Sequence, residues 1–231
     1  MDILIEKNLY PALTKIPIKS SFLITIGNPA LVVAPTIDGL LGDKLTAFAP
    51  STTGVPYIKR GKSLSMEIMK QVFDIGHLFD KAENLEIVKQ SFNSIALMEL
   101  HYRNQSIMTI EDVHNDVFQT SLTVASRGTM GEGNFKAIQE GIQRVARFIF
   151  SESFQLDKAI TASAKAVYLS AALRSGQLRI DKYRGAESIR ELLINDPFLN
   201  RLNKLKKSNP EAFFYWHSTI GLHEVRKKTI L

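Results

Sequence analysis

The 231-residue sequence contains no cysteine. That excludes a disulfide framework and any thiolate metal site. It fits a reducing compartment, so a cytoplasmic location is expected. Long hydrophobic runs are also missing. A membrane helix needs about 18 apolar residues, and the longest candidate, FLITIGNPALVVAP, is broken by Gly27, Asn28 and Pro29. No membrane association is therefore expected. The opening MDILIEKN carries Asp2 and Glu6 and lacks the basic-then-apolar layout of a signal peptide. There is no Gly-x-Ser-x-Gly elbow to support a serine hydrolase. His77, His101, His114, His217 and His223 show no metal-ligand spacing and read as surface or hydrogen-bonded residues. The glycines of RGTMGEGNF lie between two helical stretches. A phosphate loop needs a strand on one side, so they read as a helix–helix connection.

Apolar residues make up 45% of the chain, enough for one large or two small domains. The first 35 residues differ from the rest. DILIE, SFLITIG and ALVVAP are short and rich in Ile, Leu and Val, with a turn signal, GNP, between the second and third. They read as two or three strands. So few cannot close a sheet covered on both faces, so they resemble the edge of something larger. Beyond Pro35 the periodicity is helical nearly to the end. Helices are expected over 36–49 with Thr36 as cap, from Ser65 to about residue 80, over NLEIVKQSFNSIALMELHYRN, and from Thr109 to near Gly128. Further helices are expected over NFKAIQEGIQRVARFIFSE, over QLDKAITASAKAVYLSAALRSG with Gly176 as C-terminal cap, and around 188–194. Two last ones follow in PFLNRLNKLKK and PEAFFYWHSTIGL. The class expected is α+β, mainly α, with a β segment over 1–35 and a helical region over 36–231.

The net charge is +6, and much of the surplus sits late. Beyond residue 195, Arg201, Lys204, Lys206, Lys207, Arg226, Lys227 and Lys228 are set against Asp196, Glu211 and Glu224. Such a stretch is either a solvated helix face or a patch that attracts phosphates.

One charge stands out. In PTIDGLLGDKLTAFAP, Lys44 falls in the middle of the stripe formed by Ile37, Leu40, Leu41, Ala47 and Phe48, with Asp43 at its margin and Asp38, Gly39, Gly42 and Thr46 as the polar remainder. An amine centred on a core-facing stripe is costly unless paired or wet. Three accounts fit. Lys44 snorkels past small neighbours, pairs with a buried acid, or faces a cleft where it meets a phosphate. On the next helix, Ile68, Val72, Ile75 and Phe79 form the core stripe, while Asp74 shares the polar face with Glu67, Lys70, Gln71 and His77. Lys70 and Asp74 are i,i+4 neighbours.

GLLGDKLTAFAPSTTGVPY followed by EIMKQVFDIGHLFD resembles the two downstream motifs of the AbiEii/AbiGii-type nucleotidyltransferase toxins. Those motifs are an Asp/Glu-Lys-x-x-Ala helix, here Asp43, Lys44 and Ala47, and a Lys-x-x-x-Asp-Leu/Ile helix, here Lys70, Asp74 and Ile75. Position 71 departs from the pattern, with Gln71 where the family often has Asp. The resemblance covers about residues 1–80. It implies a small mixed sheet of the DNA-polymerase-beta type followed by a helical region, and transfer of a nucleotide from an NTP to an acceptor. In the family, a Gly-Ser or Gly-Gly element followed by Asp-x-Asp grips the metal-bound triphosphate, and a third carboxylate completes the Mg²⁺ site.

Applied residue by residue, the resemblance assigns Lys44 to the NTP phosphates, with Asp43 and Lys70 beside it. Asp74 would orient the lysine or the acceptor, and Asp2 would be the third, metal-holding acid. The Gly-Ser…Asp-x-Asp element is absent from the sequence. The chain is therefore expected to be an N-terminally truncated or degenerate family member, with little or no transfer activity alone. Mg²⁺ would be used only if the missing carboxylates are supplied. The implied partners are a cognate antitoxin, an RNA acceptor, and another chain docked on the exposed strand edge of residues 1–34. The alternative is a non-enzymatic helical module that binds nucleic acid or a protein through Arg201, Lys204, Lys206 and Lys207.

Overall fold

The computed structural model describes residues 8–20, 24, 26–105 and 107–229, with side chains to residue 223. The protein is mainly helical, with a short two-stranded antiparallel sheet ahead of the helices. Strand β1 (Leu13–Pro17) pairs with β2 (Leu31–Pro35), Leu13 opposite Pro35 and Pro17 opposite Leu31. ALVVAP is thus a strand, as expected. DILIE lies outside the described residues, and so does most of SFLITIG. Strand β1 lacks the dense Ile/Val/Leu run that would mark it in the sequence, because Lys15 and two flanking prolines interrupt the pattern.

Helices α1 (Ile37–Ala47), α2 (Ser65–Lys81), α3 (Leu85–Tyr102) and α4 (Ile110–Ala125) follow. Between α1 and α2 a two-residue hairpin joins β3 (Ile58–Lys59) to β4 (Lys62–Ser63). Its turn puts Arg60 and Gly61 at φ 51° and 75°, a left-handed pair that glycine makes accessible. Then come α5 (Phe135–Val145), α6 (Leu156–Ser175), two 3₁₀ segments (Ala186–Ile189 and Asn200–Lys204), α7 (Leu205–Ser208) and α8 (Pro210–Thr229).

The caps are local chemistry. The Thr36 hydroxyl accepts from the Gly39 amide, and Asn84 accepts from the Glu86 and Ile87 amides. Thr109 and Asp112 form a capping box, and Gly176 ends α6 at φ 70°. At the start of α2 it is Ser63, rather than Ser65, whose hydroxyl accepts an amide proton.

Helix α6 is the central strut. It is buried on nearly all sides and packs against α2, α4, α5 and α8. Its run of Ala and Ser explains this, because small residues all round let neighbours close in on every face. Phe79 of α2 meets Tyr215 of α8 edge-on at 5.2 Å, beside the buried Tyr168 and Trp216.

Three expectations are corrected. The helix around 188–194 is only the 3₁₀ turn Ala186–Ile189, because side chains take over the backbone groups beyond it. Lys206 Nζ donates to the Arg190 and Leu192 carbonyls, and Asn203 bonds both the N–H and C=O of Ile194. Helix α5 stops at Val145 instead of continuing to Glu152. Its buried stripe of Ile138, Ile142 and Val145 ends there, and Phe148 and Phe150 are exposed. The third correction concerns the buried face of α1, which positions the candidate site.

Candidate functional site

Helix α1 buries Leu41, Leu45 and Phe48 together with Gly39, Gly42 and Thr46. The residues assigned to its polar side are thus half of its packed face. The cause is the pair of glycines. At Gly42 a Cβ would lie 2.4 Å from the Val88 carbonyl oxygen and 2.8 Å from the Phe92 amide nitrogen, so α1 and α3 touch backbone to backbone. The Ser91 hydroxyl donates to the Gly39 carbonyl across the same contact. Hydropathy registers no apolar side chain there, and the stripe reads rotated away from its true centre. Lys44 therefore stands at the margin of the buried face, beside Ile37, which is exposed.

From that margin Lys44 reaches α2. Its Nζ lies 2.9 Å from Asp74 Oδ2 and donates to Gln71 Oε1 at 3.1 Å. Gln71 Nε2 donates to the Glu67 carbonyl one turn back, which turns the amide oxygen toward the ammonium. Both side chains of the ion pair keep about a quarter of their surface in contact with solvent, 25% for Lys44 and 27% for Asp74. The ammonium is thus neither stretched into bulk water nor sealed in hydrocarbon.

Asp43, the next residue, accepts a 2.6 Å hydrogen bond from the Tyr10 hydroxyl. Burial, and then that carboxylate, push the Tyr10 phenol well above its ordinary value. Tyr10 also stacks its ring edge over Gly39, 3.4 Å from where a Cβ would stand, so the segment before β1 is tied to α1. Nothing in the local sequence around Tyr10 announces this partnership.

Asp43, Glu67 and Gln71 border a cleft of about 410 Å³, closed on other sides by the connector residues Thr53 and Gly54 and by Arg103 at the C-terminal cap of α3. The connector is held rigidly. Asp116 of α4 accepts from the Ser51 and Thr52 amides at 2.8 and 2.9 Å and from the Thr52 hydroxyl at 2.9 Å. Arg103 donates to the Thr52 carbonyl and to Glu99. Gly54 has no room for a side chain, with the Ala47 carbonyl oxygen 2.5 Å from a would-be Cβ. Asp116 is buried, and desolvation raises its pKa despite the donors around it.

The structure thus brings Lys44, Asp74 and Gln71 together, with Asp43 and Tyr10 alongside. Lys70 is exposed and makes no hydrogen bond or ion pair among the described residues, and Asp74 turns to Lys44 instead of this i,i+4 neighbour. Asp2 lies outside the described residues. Of the late basic residues, Lys206 is committed to the 190s carbonyls and lies over the Phe213 ring. Lys207 is exposed, and Arg201 and Lys204 line a separate groove. Among the described residues no group of three or more His, Asp or Glu side chains could hold a metal ion. Of the acids at hand, Asp43 and Asp74 already bond Tyr10 and Lys44, and Glu99 pairs with Arg103. The described residues therefore do not fit a Mg²⁺ site. No helix among them is long and apolar enough to cross a membrane.

Sequence reasoning missed a second ionic centre. Lys165 of the central helix, with 8% of its side chain exposed, lies 2.8 Å from Asp80 and 3.0 Å from Glu211, tying α6 to α2 and α8. A lysine with acids on two neighbouring helices is the pairing that makes a buried ammonium tolerable. The helical spacing of Lys165 among alanines was the available signal. No family model matches the chain, and no curated protein or solved structure does.

Proposed function

We propose that this chain is a homologue of the AbiEii/AbiGii-type nucleotidyltransferase toxins of toxin–antitoxin and abortive-infection systems, and that Lys44 meets the phosphates of an NTP. The single observation that supports it is the Lys44–Asp74 ion pair at 2.9 Å. Two residues singled out by separate motifs, on different helices, meet at a position about a quarter exposed whose third member, Gln71, borders a cleft. In this reading the exposed β1–β2 hairpin is the edge of a polymerase-beta-type sheet. Asp74 and Gln71 hold the ammonium extended in the ligand-free state. An arriving triphosphate is a stronger partner than either, because it offers several anionic oxygens to one compact cation.

Gln71 has a consequence in this scheme. An Asp at that position would set two carboxylates around Lys44. The neutral amide leaves the Lys44–Asp74 pair electrically balanced, so an incoming triphosphate meets one fewer negative charge. The sequence holds no Gly-Ser…Asp-x-Asp element, so transfer to an acceptor such as RNA requires carboxylates from another source. Nucleotide binding is the activity expected of the chain alone. The remaining implied partners are a cognate antitoxin and a chain that pairs with the strand edge.

The test is titration of the purified protein with a fluorescent NTP. Lys44→Ala should weaken binding about tenfold or more, since it removes a charge-assisted contact worth about 1.5–3 kcal/mol. Its thermal stability should fall by no more than about 1 kcal/mol, the ceiling for a partly exposed ion pair. Unchanged affinity in Lys44→Ala overturns the assignment, as does an absence of NTP binding in the unaltered chain.

A further inference from the structure

We propose that the groove between the α4–α5 connection and the segment from the second 3₁₀ helix into α7 binds the sugar-phosphate backbone of a polynucleotide. The groove has a volume of about 570 Å³. Three cations line it, Arg127 from one side and Arg201 and Lys204 from the other, and no Asp or Glu does. The side chains of Arg201 and Lys204 make no hydrogen bond or ion pair among the described residues. Arg127 touches Asp157 at 3.4 Å, but both side chains are more than half exposed, and such pairs are worth little. All three charges are therefore available to an anion.

The rest of the lining decides the class of ligand. The hydroxyl protons of Ser126, Thr129 and Ser208 are given to backbone carbonyls. The groove thus offers cations but no free hydroxyl donors to shape a pocket for one small anion. No aromatic side chain lines it, so no base-stacking platform is present. Separate cations along a concave surface suit a chain of phosphates, where each contact releases counterions. A flat anionic membrane would not enter the concavity to reach them. Recognition should consequently be insensitive to base sequence.

The assignment narrows the basic stretch seen in the sequence. Lys206 drops out because its ammonium is committed to the Arg190 and Leu192 carbonyls. Arg127 enters from a distant part of the chain. The groove does not include Lys44 or Asp74, so it stands or falls independently of the NTP assignment.

The experiment is fluorescence anisotropy with a labelled oligoribonucleotide, a labelled oligodeoxyribonucleotide and phosphatidylglycerol vesicles, each across a salt series. Three phosphate contacts predict a slope of about −2 for log affinity against log salt with a single strand. The double variant Arg201→Gln/Lys204→Gln should lose on the order of 20-fold in affinity near 0.1 M salt and flatten the slope to about −0.7. Arg127→Gln alone should lose about one third of that slope. The charge-matched double variant Lys62→Gln/Lys81→Gln, at exposed positions elsewhere, should bind like the unaltered protein. A preference between the two oligonucleotides identifies the source and leaves the proposal standing. Equal losses in the two double variants, vesicle binding that depends on the same residues, or no oligonucleotide binding at all overturns it. Binding that survives in Lys44→Ala separates this outcome from failure of the NTP assignment.

Discussion

At the scale of single residues, α4 carries two acids whose titrations act in opposite directions. Asp112 is exposed and accepts from the Thr109 amide and hydroxyl, which lowers its pKa. Its cap contributes stability above the ordinary Asp range and loses it as pH falls through the depressed folded value. Asp116 is buried, and desolvation raises its pKa. The folded state then holds its proton more firmly than the unfolded state. Its contribution is fully present below the ordinary value of about 3.9 and is lost as pH rises through the raised folded value. Thermal midpoints measured from acid to neutral pH should separate the two. Asp112→Asn should flatten the acid limb. Asp116→Asn should fold without a large loss, because the Ser51 and Thr52 donors all end on one oxygen, Oδ2, whose place an amide oxygen can take. It should also remove the decline that the unaltered protein shows above about pH 4. The two acids differ in how far the sequence reveals them. Asp112 was legible as part of a cap. The role of Asp116 depends on a connector more than sixty residues upstream, a separation that helical periodicity does not span.

At the scale of elements, the α1–α3 contact is the most demanding fit. Gly42→Ala would push a methyl group into the Val88 carbonyl and the Phe92 amide, both backbone atoms of a helix. Neither can swing aside as a side chain could, so the variant should lose about 1–3 kcal/mol in denaturant unfolding, despite alanine's better helix propensity. By contrast, Gly221, with nothing within 4 Å of a would-be Cβ, should accept alanine without loss. The same contact explains what the sequence made visible. Helices α2, α4 and α6 were legible because large apolar side chains or clear caps mark them. The Ile68, Val72, Ile75 and Phe79 stripe is buried as expected. Helix α1 was legible in extent but not in orientation, because glycine packs through what it lacks. The segment from 186 to 194 was misread for a related reason. Its apolar residues Ile189 and Ile194 are buried, yet Lys206 and Asn203 satisfy its backbone instead of a helix. For the candidate site, the two motif helices were legible, and so was Asp74 as a residue that would orient Lys44; the position of the ion pair at the margin of the buried face was not. It follows from where α1 actually points.

At the scale of the whole molecule, the apolar material is unevenly distributed. The helical body shares one core running from Leu41 to Trp216, whereas the β1–β2 hairpin leaves Leu13, Ile16, Leu31 and Val33 exposed. Two strands alone are marginal in water, and this pair adds little to the core. Ile16→Lys/Val33→Lys should therefore change the unfolding free energy by no more than about 0.5 kcal/mol per site, the usual range for surface substitutions. A larger loss would mean that the hairpin is covered in solution. At Gly42 helices α1 and α3 meet backbone to backbone, with only the small Ser91 and Thr46 side chains beside the contact, so they behave as one welded beam, and Lys44 is bolted to it. Helix α2 is seamed in its turn to α5, where a Cβ at Gly141 would lie 2.2 Å from the Ser65 carbonyl oxygen, so any adjustment around Lys44 falls to the rotamers of Gln71 and Asp74 and not to a shift of either backbone.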